Sequence, residues 1–313
     1  MVSFHRRQVW FVVLSSSCSL LVLLTAGCAE ESRRPDLGAY QYRDTRNLVK
    51  FVHDAARRLE QHGEASLDYF RRHRDLYKTP DTYLYIYDLK GTNVFHAGMP
   101  ELEGKNLIDL TDIAGKKVGV LMLEALKDPR NPHAWIHYYW WEPESFYSVP
   151  KSSCHFKAVT PEGRAFCVGG GLNYPQEEKE FIRIAVDDAV DLINRAGPDA
   201  LPRISDPASK FVYRDVRVFA FYGNGEIVIS PVTTNSQTQI DLLDCVDQVG
   251  KKPFTDALHE LESAGHSWQV FMAKTRYRRT LVKKCLYLRK TTLREETLYV
   301  GAVTDLPQPA WIE

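Results

Sequence analysis

His133 and His137 stand four residues apart in "HAWIHYYWW", and paired imidazoles are a common start of a metal site. A metal would need further donors. No carboxylate pattern flanks the pair, so ordinary surface histidines explain it more simply. Nucleophilic and phosphate chemistry find no better support. The 313 residues hold no His-Glu-x-x-His, no Gly-x-Ser-x-Gly and no phosphate-cradling loop. The run "GGG" at 169–171 leads into Leu172 and Asn173, not a Lys-Ser or Lys-Thr pair. The residues therefore point to binding, with no catalytic residue, metal or cofactor expected.

The strongest internal signal is a repeat. "IDLTDIAGKK" at 108–117 and "LLDCVDQVGKK" at 242–252 share Asp-x-x-Asp-x-x-Gly-Lys-Lys. Asp109, Asp112, Gly115, Lys116 and Lys117 recur as Asp244, Asp247, Gly250, Lys251 and Lys252, at one constant shift. Such recurrence is the mark of a duplicated structural unit. Pro253 cannot sit deep in a helix, so a helix starts near Lys252 and the motif is a structured turn before it. In such a turn aspartate accepts backbone N–H groups and glycine takes a left-handed position.

The elements around the motif repeat as well. Leu48, Phe51, Val52, Ala55 and Leu59 fall at helical spacing, and Gly63 ends the run. "TYLYIYDLKGTNVFHAG" reads as a hairpin around "DLKG", "KVGVLMLEALKD" as a helix, "AWIHYYWW" as a strand, and "KSSCHFKAV" with "RAFCVGGGL" as a second hairpin. The second half offers a helix over "EEKEFIRIAVDDAVDLINRAG", a hairpin around Asn224-Gly225, a helix over "PFTDALHELES", the strand "HSWQVFMA" and a closing hairpin. The order helix, two strands, helix, three strands is thus written twice. The basic run "KTRYRRTLVKK" reads as exposed strand positions.

Hydrophobic residues make up 44% of the chain and aromatic ones 12%, enough to fill two cores. The 40 basic and 40 acidic groups balance, so nothing advertises nucleic acid as a partner. The first residues differ: Arg6 and Arg7 precede the apolar "VWFVVLSSSCSLLVLL", and "TAGC" follows. This is the order of an export signal. It resembles that of a bacterial lipoprotein, in which Cys28 after Ala-Gly would be lipidated; Thr25 stands where that family usually has Leu. An uncleaved membrane anchor is the alternative. In an exported chain the even set Cys154, Cys167, Cys245 and Cys285 suggests disulfides. Strands leaving the turn at Pro161-Glu162-Gly163 would bring Cys154 near Cys167, with Cys245 and Cys285 as the remaining pair. Four buried thiols remain the other possibility.

From about 45 to 175 the chain resembles a Cache domain, the extracytoplasmic sensor module related to PAS domains. The resemblance rests on Asp88, Gly91 and His96, then Gly104-Lys105-Asn106 and the turn residues Asp112, Gly115 and Lys116. It continues through Trp135, Tyr138, Trp140, Pro143 and Lys151 to Val168, Gly169 and Gly171, in order and at family-like spacing. It implies an α+β fold of two tandem Cache (PAS-like) domains, each an antiparallel sheet flanked by helices and cupping a small organic ligand, often a short carboxylate. By that resemblance His96, Tyr138, Trp140 and Lys151 are ligand-binding candidates, with Asp112 on the covering turn. An ammonium at Lys151 suits a carboxylate, while Tyr138 and Trp140, two apart on a strand, share a face. The second copy departs from the pattern, with Ser230 for His96 and Ala273 for Trp140.

The expected organisation is a signal at 1–27, a tether at 28–42, a Cache domain at 43–175, a divergent Cache-like domain at 176–305 and a tail at 306–313. The expected function is a non-enzymatic, lipid-anchored sensor on the periplasmic or extracellular face of a bacterial envelope. It would bind a small-molecule ligand, with a small carboxylate favoured, and signal through a separate membrane protein. A ligand-free interaction scaffold is the alternative, with a periplasmic enzyme a more distant one.

Overall fold

A computed structural model of the chain describes residues 34–127, 133–141, 147–231, 241–274 and 281–306. Helix α1 (Arg43–His62) buries Leu48, Val49, Val52, Ala55, Ala56 and Leu59 on one stripe, and α2 (Ala65–Arg72) follows the Gly63 cap. Strands β1 (Leu84–Asp88) and β2 (Asn93–His96) form the first hairpin. After the Asp-x-x-Asp turn come α3 (Val118–Ala125), β3 (Ala134–Trp141), β4 (Ser148–Val159) and β5 (Ala165–Asn173). The antiparallel sheet runs β2-β1-β5-β4-β3.

The second half opens with α4 (Lys179–Ala196) and α5 (Ala200–Ser205). A two-stranded ribbon of β6 (Val212–Tyr213) and β7 (Val216–Arg217) follows, turning at Arg214 with φ 51°. Sequence pattern gave no sign of this ribbon, because it is too short to alternate. Then come β8 (Phe219–Tyr222), β9 (Ile227–Ile229), α6 (Pro253–Glu260), β10 (His266–Lys274), β11 (Leu281–Leu293) and β12 (Glu296–Asp305). The second sheet runs β9-β8-β12-β11-β10, the same order as the first, so the fold is α+β with two antiparallel sheets. The repeat is structural, and α6 begins at Pro253 as the turn reading requires. Both sheets belong to one compact unit, Asp36–Glu313.

The expected disulfides are not formed. All four thiols are free, and the register shows why. Cys154 faces Gly170 across the β4–β5 pair, whereas Cys167 faces Lys157. The two are three positions out of step and point to opposite faces of the sheet. Cys285 lies on the face of β11 opposite to Leu286, and Cys245 packs against the cluster that contains Leu286. A sheet separates each pair. Cys28 and the expected signal lie outside the described residues, as does the tail after Leu306. Among the described residues no helix is long and apolar enough to cross a membrane.

Candidate functional site

The first sheet has one face for helix and one for a cup. Leu84, Ile86, Val168 and Gly170 turn toward α1; a Cβ on Gly170 would lie 2.9 Å from Val52. The alternate residues Tyr83, Tyr85 and Tyr87 turn the other way and line a cavity with His96, Tyr138 and Trp140. Its roof is Leu107 and Leu110 from the turn with Val118, Gly119 and Met122 of α3. The cavity measures about 30 Å³, the room of about one water molecule.

Lys151 lies beside the cup, opposite Tyr138 in register and 1% exposed. Its Nζ sits 3.9 Å from the centre of the Tyr83 ring, a cation–π contact strengthened by exclusion of water. Two glycines make room for this arrangement. A Cβ on Gly171 would fall 2.5 Å from Lys151 Cε, and one on Gly169 would fall 2.4 Å from Tyr85. The tyrosine is thereby free to meet His155, with its hydroxyl 2.9 Å from His155 Nε2. The "GGG" run is therefore a packing device on both faces of β5.

His96 Nδ1 accepts the Met99 backbone N–H at 2.8 Å, so the ring proton is on Nε2. Burial, with the Lys151 and Arg74 charges adding to it, pushes its pKa down to about 3, and the ring stays neutral. It stacks near Tyr83 and Tyr85. The cup thus offers one ammonium, one neutral imidazole and several hydroxyls within an apolar wall. That set suits a small polar molecule carrying a negative charge.

Asp112 has a different task. Its Oδ1 accepts the N–H groups of Ala114 (2.9 Å) and Lys116 (2.8 Å), and its Oδ2 accepts Tyr139 N–H at 2.9 Å. Lys116 Nζ donates to the His137 carbonyl at 2.8 Å. Strand β3 is a sheet edge, so this turn satisfies an N–H and a C=O that the edge would otherwise leave bare. The second copy repeats the device. Asp247 accepts from Val249, Lys251 and Met272, and Lys251 Nζ donates to the Val270 carbonyl at 3.0 Å. Gly115 and Gly250 hold φ of 81° and 86°. The duplicated motif caps an edge strand in each half.

Strand register also aligns the two cups. Gly169 faces Tyr85 and His155, while Gly301 faces Phe219 and Leu288. By the same rule Tyr87 answers to Phe221, Tyr138 to Phe271, Ser153 to Leu286 and Gly171 to Val303. Phe219, Phe221, Phe254, Phe271, Leu286 and Leu288 pack as one buried cluster where the first half has its cavity. The equivalent of Lys151 is Lys284, whose ammonium is bonded to the Asp305 carboxylate. The second cup is filled by its own side chains.

Of the residues expected to meet a ligand, the structure gathers His96, Tyr138 and Trp140 on the cavity and Lys151 beside it; Asp112 lies on the roof turn with its carboxylate turned to backbone. Tyr83, just before β1, and Tyr85 and Tyr87 within it were missed, although their spacing of two in "YLYIY" was a readable signal. His133 and His137 are not surface residues. They lie about 13 Å apart along extended backbone with Trp135 between them, too far to share a metal. Tyr40 bonds His133, and His137 packs on Phe181 and Tyr213. Among the described residues no group of three metal-ligating side chains occurs.

Residues 63–159 match the family model of the Cache domain. Solved structures with a resemblance include a methyl-accepting chemotaxis protein from Vibrio parahaemolyticus at 19% identity, covering 49% of this chain and 96% of that one, with a TM-score of 0.34. A Cache chemosensory domain described for carboxylic acid recognition is 19% identical over 51% of this chain and all of its own, with a TM-score of 0.33. The periplasmic sensory domain of the Campylobacter jejuni chemoreceptor Tlp1 is 12% identical over 91% of this chain and 94% of its own, with a TM-score of 0.30. No curated protein matches the chain.

Proposed function

We propose that the chain is a non-enzymatic extracytoplasmic sensor in which a Cache domain at 43–175 binds a small organic acid or similar metabolite. A divergent Cache-like domain at 176–305 accompanies it. The observation that supports this most is the placement of Lys151: a cation 1% exposed, against the Tyr83 ring that lines the cup. Burying an ammonium is costly unless something negative or π-rich compensates it. In the second half a carboxylate of the chain itself, Asp305, meets the equivalent lysine. A ligand carboxylate would lie against Lys151 in the first half, with Tyr138 and His96 as donors and Trp140 as a wall. With room of about 30 Å³ in the cavity, a ligand would enter as the roof of Leu107, Leu110 and α3 lifts. Lipidation of Cys28 would tether the protein outside the cytoplasm, and its signal would pass to a separate membrane protein. Labelled fatty acid should enter the wild type and not Cys28→Ala.

Thermal shift with acetate, propionate, pyruvate and a set of amino acids and amines tests the binding reading. A ligand at a hundred times its Kd stabilises the native state by about 2.7 kcal/mol, and Lys151→Met should abolish the gain. The small cavity favours one other reading, a scaffold that docks partners without any ligand. A flat response to the whole panel would decide for that alternative.

A further inference from the structure

Lys116 belongs to the first half's edge-capping turn, yet its ammonium also leaves that half. Besides the His137 carbonyl, Nζ donates to the carbonyl of Val212 at 2.6 Å, and the side chain is 3% exposed. Val212 opens the β6–β7 ribbon of the second half. The next residue, Tyr213, packs its ring 4.5 Å from that of His137. Its hydroxyl lies 3.3 Å from Ser152 Oγ, which is itself 2.7 Å from His137 Nδ1. Lys116 is thus the head of a small polar joint between the halves.

The other end of Lys116 is the roof of the cup. The turn is closed by Val118 N–H donating to the Leu110 carbonyl at 3.2 Å, and by Asp112 N–H donating to the Lys116 carbonyl at 3.0 Å. Leu110 and Val118 are both cavity residues. A roof that lifts by bending this turn must move Lys116, and Lys116 cannot move without disturbing its bond to Val212. Among the described residues the second copy repeats only the edge-strand bond, Lys251 Nζ donating to the Val270 carbonyl.

We infer that Lys116 couples the position of the cup's roof to the β6–β7 ribbon, so that the second half reads whether the first is open or closed. The inference rests on the sensing function proposed above, but its test needs no ligand. Gly119 provides a wedge: a Cβ there would lie 2.9 Å from Leu107 O and from Ile108 Cα, so Gly119→Ala must push α3 off the turn. Hydrogen–deuterium exchange of the full chain would then be read at residues 212–217.

Lys116→Met keeps the stem and removes the donor. It should speed exchange in the ribbon at least threefold, as should Gly119→Ala alone. The double variant should be no faster than Lys116→Met, because the link is already cut. Lys251→Met should leave the ribbon unchanged. An unaltered ribbon in Lys116→Met, or a Gly119→Ala effect that persists at full size without the lysine, overturns the inference; so does an equal response to Lys251→Met. Should Lys116→Met fail to fold, Gly119→Ala in the native background still decides: a silent ribbon there is fatal. A failed thermal shift with the acid panel would remove the sensing function and leave this mechanical link to stand or fall on its own data.

Discussion

Lys284 and Asp305 face each other across β11 and β12 in the register that Lys151 and Asn173 hold across β4 and β5. The ion pair in the second half is bonded through the Lys284 ammonium. Duplication has therefore left two versions of one lysine, the first in a tyrosine-lined cup and the second beside a carboxylate of its own chain.

This relationship predicts the effect of moving the carboxylate. Asn173→Asp should set a fixed carboxylate beside Lys151 that competes with an added organic acid for its ammonium. The variant should fold and lose the thermal shift that the wild type shows with its best acid. Retention of the full shift would mean that Lys151 is not the anchoring cation. The comparison needs only melting curves with and without the acid.

A second prediction concerns the repeated turn. Asp112→Ala removes the acceptor for three backbone N–H groups, one of them on the edge strand β3. Bonds to a charged acceptor are stronger than neutral ones, and the site is partly exposed, so a loss of about 2 kcal/mol is expected. Asp247→Ala should destabilise the second half in the same sense, through Val249, Lys251 and Met272. Urea titration of both variants checks this, and Asp112→Asn should recover part of the loss by keeping one acceptor oxygen. If Asp112→Ala is neutral, the edge-capping account is wrong.

These two cases also show what the sequence could and could not reveal. The shared Asp-x-x-Asp-x-x-Gly-Lys spacing was legible because each residue has a backbone role that few other types can fill. Helices α1, α3, α4 and α6 were legible from periodicity and from Gly63 and Pro253. The filling of the second cup was hidden: each Tyr-to-Phe exchange looks conservative, and only register shows that Phe219, Phe221 and Phe271 replace hydroxyls together. The cysteines misled for a related reason, since counting from a turn fixes neither register nor face. The Lys116–Val212 bond was beyond reach, because it joins residues 96 positions apart through a ribbon of two-residue strands.

A third prediction follows from four histidines kept neutral by burial. His96, His137 and His155 have their pKa values pushed down to about 3, and His133 to about 4, in each case chiefly by burial. Near Lys151 and Arg74 (for His96), Lys116 (for His137) and His53 (for His133), nearby positive charge acts in the same direction. In the unfolded chain these rings titrate near 6.5. Between that value and about 3 to 4 the unfolded state therefore binds more protons than the folded one, and stability must fall as pH falls. Each ring contributes up to about 1.4 kcal/mol per pH unit in that window. The protein should be insensitive to these groups above pH 7 and lose stability steeply from pH 6.5 downward. His96→Gln should flatten the slope by close to one proton when unfolding free energy is measured at pH 7, 6, 5 and 4.5. A slope identical to that of the wild type would show that His96 is already protonated in the fold. In that case the cup would hold two cations, and the neutral-imidazole account of its donors would have to be abandoned.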